Sequence, residues 1–177
     1  CIIESNTGGD QKDIVDLITD IYYYESILEP SIRTNIIYVD TGKTIQKGQT
    51  TQTLIEGLPL QGTESVKIKI TDGNDIKLEF EQFVTQIVPV GQDTTKSLVT
   101  LDLVSEEGII NYKTKINQRF DGKVSEHVKK ILTDKKYLGT EKKLDIEATE
   151  NTYNFIGNQK RPFYSILWLA KKSIPSL

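Results

Sequence analysis

The sharpest hydrophobic and polar pattern in the chain is a two-residue alternation. Val66, Ile68 and Ile70 alternate with Lys67, Lys69 and Thr71, which predicts a half-buried strand because successive strand side chains point to opposite faces. Asp72-Gly73-Asn74-Asp75 supplies residues that tolerate positive φ in a tight turn. Ile76, Leu78 and Phe80 then alternate with Lys77, Glu79 and Glu81 on the returning strand. After Phe80 the apolar parity shifts, since Phe83 and Ile87 fall in the opposite register. A bulge or bend near Glu81-Gln82 is expected to absorb the shift and to let the sheet curl. Beyond a loop over residues 91–96, Val99, Leu101 and Leu103 alternate with Thr100 and Asp102 as a further strand ending at Ser105-Glu106-Glu107-Gly108.

Upstream the pattern is mixed. Residues 1–11 end in Gly8-Gly9-Asp10 and read as a lead-in. Ile14, Leu17, Ile18, Ile21 and Tyr24 match helical spacing, but the β-branched and aromatic content, with Tyr22-Tyr23-Tyr24, suits a pleated surface better. A strand through about Tyr24 and a turn to Pro30 are predicted. Residues 32–39 form a β-branched run bounded by Pro30 and by Asp40-Thr41-Gly42, a strand with a turn after it. Residues 43–53 are polar and read as a loop, followed by a short helical turn near 53–57. Five or six strands with polar turns make a small antiparallel β-barrel or sandwich over residues 1–110.

The periodicity changes in residues 111–177. Residues 110–120 link the two parts. From Lys123 onward Val124, Val128, Ile131 and Leu132 recur at helical spacing, and the helix is expected to stop by Gly139. Leu144, Ile146 and Ala148 alternate as a short strand. Pro162 suits a first helical turn, and Phe163, Ile166, Leu167 and Ala170 follow at helical intervals until Lys171, Lys172 and Pro175 close the element. The fold class is therefore α+β: a barrel followed by an α+β domain that is expected to be incomplete at its C-terminus.

Composition narrows the chemistry. The 177 residues, 37% hydrophobic and 27% charged, are those of an ordinary soluble protein able to bury a core. No apolar run approaches the roughly 18 residues of a membrane helix, so no membrane insertion by this segment is expected. The 22 basic and 25 acidic residues are read as mixed along the chain, without the basic field that phosphate backbones require; no nucleic-acid specificity is expected. A single cysteine and a single histidine exclude an internal disulfide and a thiolate or imidazole zinc set. The absence of methionine implies a processed, cut or partial chain. Cys1 also fits a lipid-anchored mature secreted protein, although a chain cut from a longer one is the plainer reading.

No residue set nominates a reaction. His127 borders an apolar helix stripe and reads as a hydrogen-bonded core histidine. Glu79 and Glu81 alternate with apolar neighbours and read as a solvated strand face, while Asp13, Asp16 and Asp20 form no evident pair of the glycosidase type. The glycines form no nucleotide-binding pattern. Lys113, Lys115, Arg119 and Lys123, interleaved with Tyr112 and Phe120, read as a solvated linker before a single-strand-binding patch. Tyr164 and Trp168 read as core or interface before a sugar platform. Among three consecutive strand tyrosines at least one faces away from the core, where it suits a protein contact.

Several of these residues, in their order from Tyr24 to Ala170, carry a family resemblance. Tyr24-Glu25-Ser26-Ile27 with Pro30, Asp40, Leu58-Pro59-Leu60 with Gly62 and Glu64, Ser105-Glu106, Arg119-Phe120, Asn151, Phe155-Ile156, and Arg161-Pro162-Phe163 with Ile166 and Trp168-Leu169-Ala170 resemble the N-terminal portion of the central hub protein of contractile-phage baseplates. The resemblance implies a structural, non-enzymatic protein of the virion tail, assembled in the host cytoplasm. It implies a homotrimer whose barrels form a pseudo-sixfold ring between the tail tube, or a tube initiator, and the central spike, in contact with other baseplate proteins. No cofactor and no metal follow from it. The positions it singles out as interface or motif residues are Tyr22, Tyr24, Glu25, Asp40, Gly62, Glu64, Arg161, Phe163 and Trp168. The chain departs from the family by ending at Leu177 and by the polar stretch 43–53. The alternative is a secreted or surface β-domain that binds carbohydrate or a host protein, favoured if exposed tyrosine and tryptophan share a groove.

Overall fold

The structure, a computed structural model, describes residues 1–177 except Gly8, Thr94 and Leu177. The Gly8 of the expected lead-in and the Thr94 of the expected 91–96 loop thus lie outside the described residues. The chain divides into two compact units, Cys1–Glu106 and Glu107–Leu177. The boundary expected at 110/111 falls inside a helix, Glu106–Lys113.

The first unit is built on β1 (Ile2–Glu4), β2 (Gln11–Asp13), β3 (Ile18–Tyr24), β4 (Arg33–Asp40), β5 (Ile45–Lys47), β6 (Thr50–Gln52), α1 (Leu54–Gly57), β7 (Ser65–Thr71), β8 (Lys77–Gln92) and β9 (Ser97–Val104). Seven of the strands form one antiparallel sheet in the order β2-β1-β7-β8-β9-β4-β3. Its two edge strands, β2 and β3, are neighbours in sequence, separated by Ile14 and a single turn of 3-10 helix at Val15–Leu17. So short a connection joins the two edges of a seven-stranded sheet only if the sheet curls back on itself, as a barrel left open between β2 and β3.

Alternation along the strands fills the concave face. In β4, Thr34, Ile36, Tyr38 and Asp40 are buried, and Ile36 and Tyr38 meet Ile3, Val66, Ile68, Val84, Val99, Leu101 and Leu103 in one core with Ile14, Leu54 and Leu58. The parity shift in β8 is real but later than expected. The register slips between Val84 and Gln86, and again between Pro89 and Gly91. The reason is that Gln82, a polar residue, occupies the interior position between Phe80 and Val84 and is 1% exposed.

Residues 43–53 are not an irregular loop. β5 and β6 pair as a hairpin, with Gly48 supplying the positive φ of its turn. Short polar strands leave no hydrophobic alternation to read, so main-chain pairing alone defines them. The helical turn that follows is where it was expected, with Thr53 and Glu56 forming a reciprocal capping box.

The second unit comprises α2 (Glu106–Lys113), whose first residue belongs to the first unit, then β10 (Arg119–Phe120), α3 (Val124–Thr133), β11 (Phe155–Ile156) and α4 (Pro162–Ala170). The link expected over 110–120 is thus partly helical. Acidic residues at the start of α2 and Lys113 in its last turn suit the helix dipole, a charge signal stronger than its weak apolar periodicity. Conversely, Leu144, Ile146 and Ala148 alternate in sequence but form no strand; only at the end of the run does a second segment pair with it, Ser176 N donating to Ala148 O and Thr149 bridging Pro175. α3 and α4 occupy the predicted places, α4 with proline at its first turn. Ile116, Phe120, Val124, Ile131, Tyr137 and Leu169 form the core of this unit.

Candidate interaction surface

At one end of the curled sheet, where β3 stops and β4 starts, the interior apolar stripe runs out of cover. β9 ends at Val104, opposite Phe83 of β8, while β7 and β8 continue as a two-stranded ribbon to the turn at Asp72–Asp75. Ile68 is buried, but Ile70, Leu78 and Ile76 on the same face are 38%, 43% and 67% exposed. This corrects the expectation of a half-buried strand pair along its whole length: alternation chooses the face, but beyond β9 the cover thins from Phe80, which still packs on the core, to Leu78 and Ile76.

The turn between β3 and β4 lies at the same end. Ile27 is fully exposed and Leu28 84% exposed, next to exposed Tyr22 and Tyr24. Tyr23 points the other way and meets the Phe80 ring at 5.2 Å between centroids, which ties the β3 edge to the ribbon. Its hydroxyl donates to Glu25 Oε2 at 3.1 Å; partial burial, then this carboxylate, raises the Tyr23 pKa above the ordinary tyrosine value. Tyr23, Tyr24, Glu25, Glu29 and Arg33 line a shallow cleft of about 390 Å³. Ile27, Leu28, Ile70, Ile76 and Leu78 were not among the candidate interface positions read from the sequence, because exposure depends on what neighbouring strands fail to cover.

The remaining candidate positions divide by role. Asp40 is 3% exposed: its Oδ1 accepts from Gly42 N and Thr44 Oγ1, and its Oδ2 accepts from Leu54 N at 2.6 Å. One carboxylate thus fixes the turn after β4 and the start of α1. Glu64 is 1% exposed and accepts from Gln61 N and Gly62 N, holding the turn in which Gly62 adopts φ +106. Asp40, Gly62 and Glu64 therefore serve the fold and present no carboxylate to a partner.

Arg161, Phe163 and Trp168 lie in the second unit. The Arg161 guanidinium sits 4.8 Å from the centre of the Tyr112 ring, and Phe163 N donates to Asn111 Oδ1 at 2.9 Å, which together fasten α4 to α2. Trp168 meets Tyr153 and Phe155 edge-on at 5.3 and 5.5 Å; its indole completes an aromatic cluster and is no open platform. His127 is buried in that cluster, edge-on to the stacked rings of Phe120 and Phe155, with Nε2 3.0 Å from Tyr153 O. Glu79 pairs with Lys69 at 2.7 Å and Glu81 accepts from Ser65 Oγ, a solvated strand face as read. The basic residues near Tyr112 are dispersed, with Arg119 bonded to Asp121. Among the described residues no group of three or more His, Cys, Asp or Glu is placed to hold a metal ion.

Charge is not mixed along the chain as expected. The first unit has 8 basic and 17 acidic residues and the second 14 and 8, net charges of −9 and +6. The overall −3 conceals this because the two units offset each other. The interaction surface of the first unit therefore lies in a negative field.

No family model and no curated protein matches the sequence. Among solved structures the chain is similar to the E. coli c3393 protein, described as a component of the type VI secretion system with structural similarity to the T4 bacteriophage tail proteins gp27 and gp5. The sequence identity is 11% and the TM-score 0.47, over 83% of this chain and 41% of that one. The chain thus spans about two-fifths of that protein's length.

Proposed function

We propose that this chain is a structural component of a phage baseplate hub, joining the tail tube to the central spike as part of a homotrimer. The observation that carries the reading is the open end of the curled sheet. Ile27 and Leu28 of the β3–β4 turn are exposed there, as are Ile70, Ile76 and Leu78 on the concave face of the ribbon and Tyr22 and Tyr24 on the outer face of β3, apolar side chains of the kind that protein contacts bury. The order of the hub-like motif residues along the chain is in keeping with it. On this reading the protein acts by contact and not by catalysis, its partners are spike, tube or tube-initiator and other baseplate proteins, and its place is the virion tail after assembly in the host cytoplasm.

The test is the mass of the assembly in solution by light scattering, over a range of concentrations, for the chain alone and with purified spike or tube protein. A discrete trimer that captures one of them is expected. A monomer at high concentration that captures neither overturns the proposal.

A further inference from the structure

The same end of the first unit has a stretch of strand edge that its own sheet leaves bare. β8 pairs with β7 over residues 77–83 but with β9 only from Phe83 onward, because the chain leaves the sheet after Val104 for α2. Over residues 77–82 the main-chain groups of β8 that face away from β7 have no strand beside them. A bare edge of this kind is a template for main-chain pairing.

The side chains along this edge carry two different stripes. Leu78 and Phe80 lie on the concave face, with Leu78 substantially exposed. Glu79 and Glu81 lie on the convex face, both exposed, and are engaged only toward β7, by Lys69 and Ser65. At the inner end of the edge Gln82 is buried; its Nε2 donates to Ile32 O at 3.2 Å while its Oε1 has no partner. The accessible edge therefore ends at Glu81.

We infer that residues 77–81 of β8 form a strand-addition site for an extended segment of a partner protein in which apolar residues alternate with Lys or Arg. An added antiparallel strand sets every second residue beside Leu78 or Phe80 and the others beside Glu79 or Glu81, and directly opposed pairs decide sheet stability. β7 already meets this rule on the other edge of the same residues: Val66, Ile68 and Ile70 share the apolar face and Lys67 and Lys69 meet the glutamates. The net −9 of the first unit draws a basic segment in and repels an acidic one. This inference goes beyond the hub proposal and is read on the isolated chain, so it stands or falls separately from spike or tube capture.

The probe is a free peptide of the sequence of residues 65–71, SVKIKIT, titrated into the isotope-labelled full chain and followed by amide NMR. Saturable shifts centred on residues 77–81 are expected, while the peptide with both lysines replaced by glutamate binds about tenfold more weakly. The exposed double variant Glu79→Lys/Glu81→Lys, whose folding is checked by its unperturbed core amides, is expected to reverse that preference. Shifts that do not saturate, that centre on another edge, or that are equal for the two peptides overturn the inference.

Discussion

Replacing Gly157 by alanine tests the packing of the second unit at its tightest point. Gly157 is buried and follows β11, at the start of a two-residue turn in which Asn158 and Gln159 adopt φ of 45° and 60°, closed by Lys160 N donating to Gly157 O at 3.1 Å. A Cβ at this position would lie 2.5 Å from Ile116 O and 2.7 Å from Ile116 C, and closer still to Ile116 Cγ2. Ile116 is not free to give way. Its N donates to Lys160 O at 2.9 Å, its O accepts from Gln159 N at 3.0 Å, and its side chain is fully buried in the core. Overpacking a close-packed site costs roughly 1–3 kcal/mol, and a backbone obstacle places this substitution near the top of that range, about 3 kcal/mol. With a urea dependence of about 1 kcal/mol per molar for so small a unit, the unfolding midpoint falls by about 3 M. Trp168 is the only tryptophan, and its contacts with Tyr153 and Phe155 make its fluorescence a reporter of this unit. A midpoint for Gly157→Ala that coincides with the parent protein would refute the close approach of Ile116 to residue 157.

Two further outcomes follow from buried polar groups. The Tyr38 hydroxyl is buried without a hydrogen-bond partner, and burial followed by the nearby Asp40 charge pushes its pKa well up. Tyr38→Phe is therefore expected to leave stability unchanged or raise it by up to about 1 kcal/mol; a clear loss in thermal or urea unfolding would mean that the hydroxyl is bonded. Burial by itself raises the Glu107 carboxyl, but hydrogen bonds from Lys142 Nζ and Thr140 Oγ1, both at 2.6 Å, outweigh it and hold the pKa below 4.5. A folded-state value below the unfolded one gives stabilisation that is full above the unfolded value and lost as pH falls through the folded value. Urea midpoints by Trp168 fluorescence are expected to fall as pH drops through and below the ordinary glutamate range and to do so less steeply in Glu107→Gln; identical slopes would remove Glu107 as a cause.

Hydrophobic period located several of the longer elements. The alternation of Val66-Ile70 and Val99-Leu103 and the β-branched run before Asp40 became β7, β9 and β4, and the helical spacings after Lys123 and Pro162 became α3 and α4. These signals are legible because each residue's face is fixed by its own backbone geometry. The outward tyrosines of the candidate surface were legible for the same reason, since Tyr22 and Tyr24 share a parity that Tyr23 does not.

What only the tertiary structure decided was which faces and edges find partners. Leu144, Ile146 and Ala148 alternate like a strand but meet a second segment only at the end of the run, whereas polar residues 45–52 pair without alternating. Asp40 and Glu64 look available in sequence and are consumed by backbone donors brought from the turns around them. Ile70, Ile76 and Leu78 have the pattern of core residues, and their exposure follows from the end of β9 at Val104. The charge segregation, by contrast, is already in the sequence: divided at the expected 110/111 boundary the net −3 separates into −10 and +7, and divided at Glu106 into −9 and +6. The sequence by itself determined period, direction and the segregation of charge, which are properties of the chain; cover and pairing depend on segments far apart in sequence, and only folding brings those together.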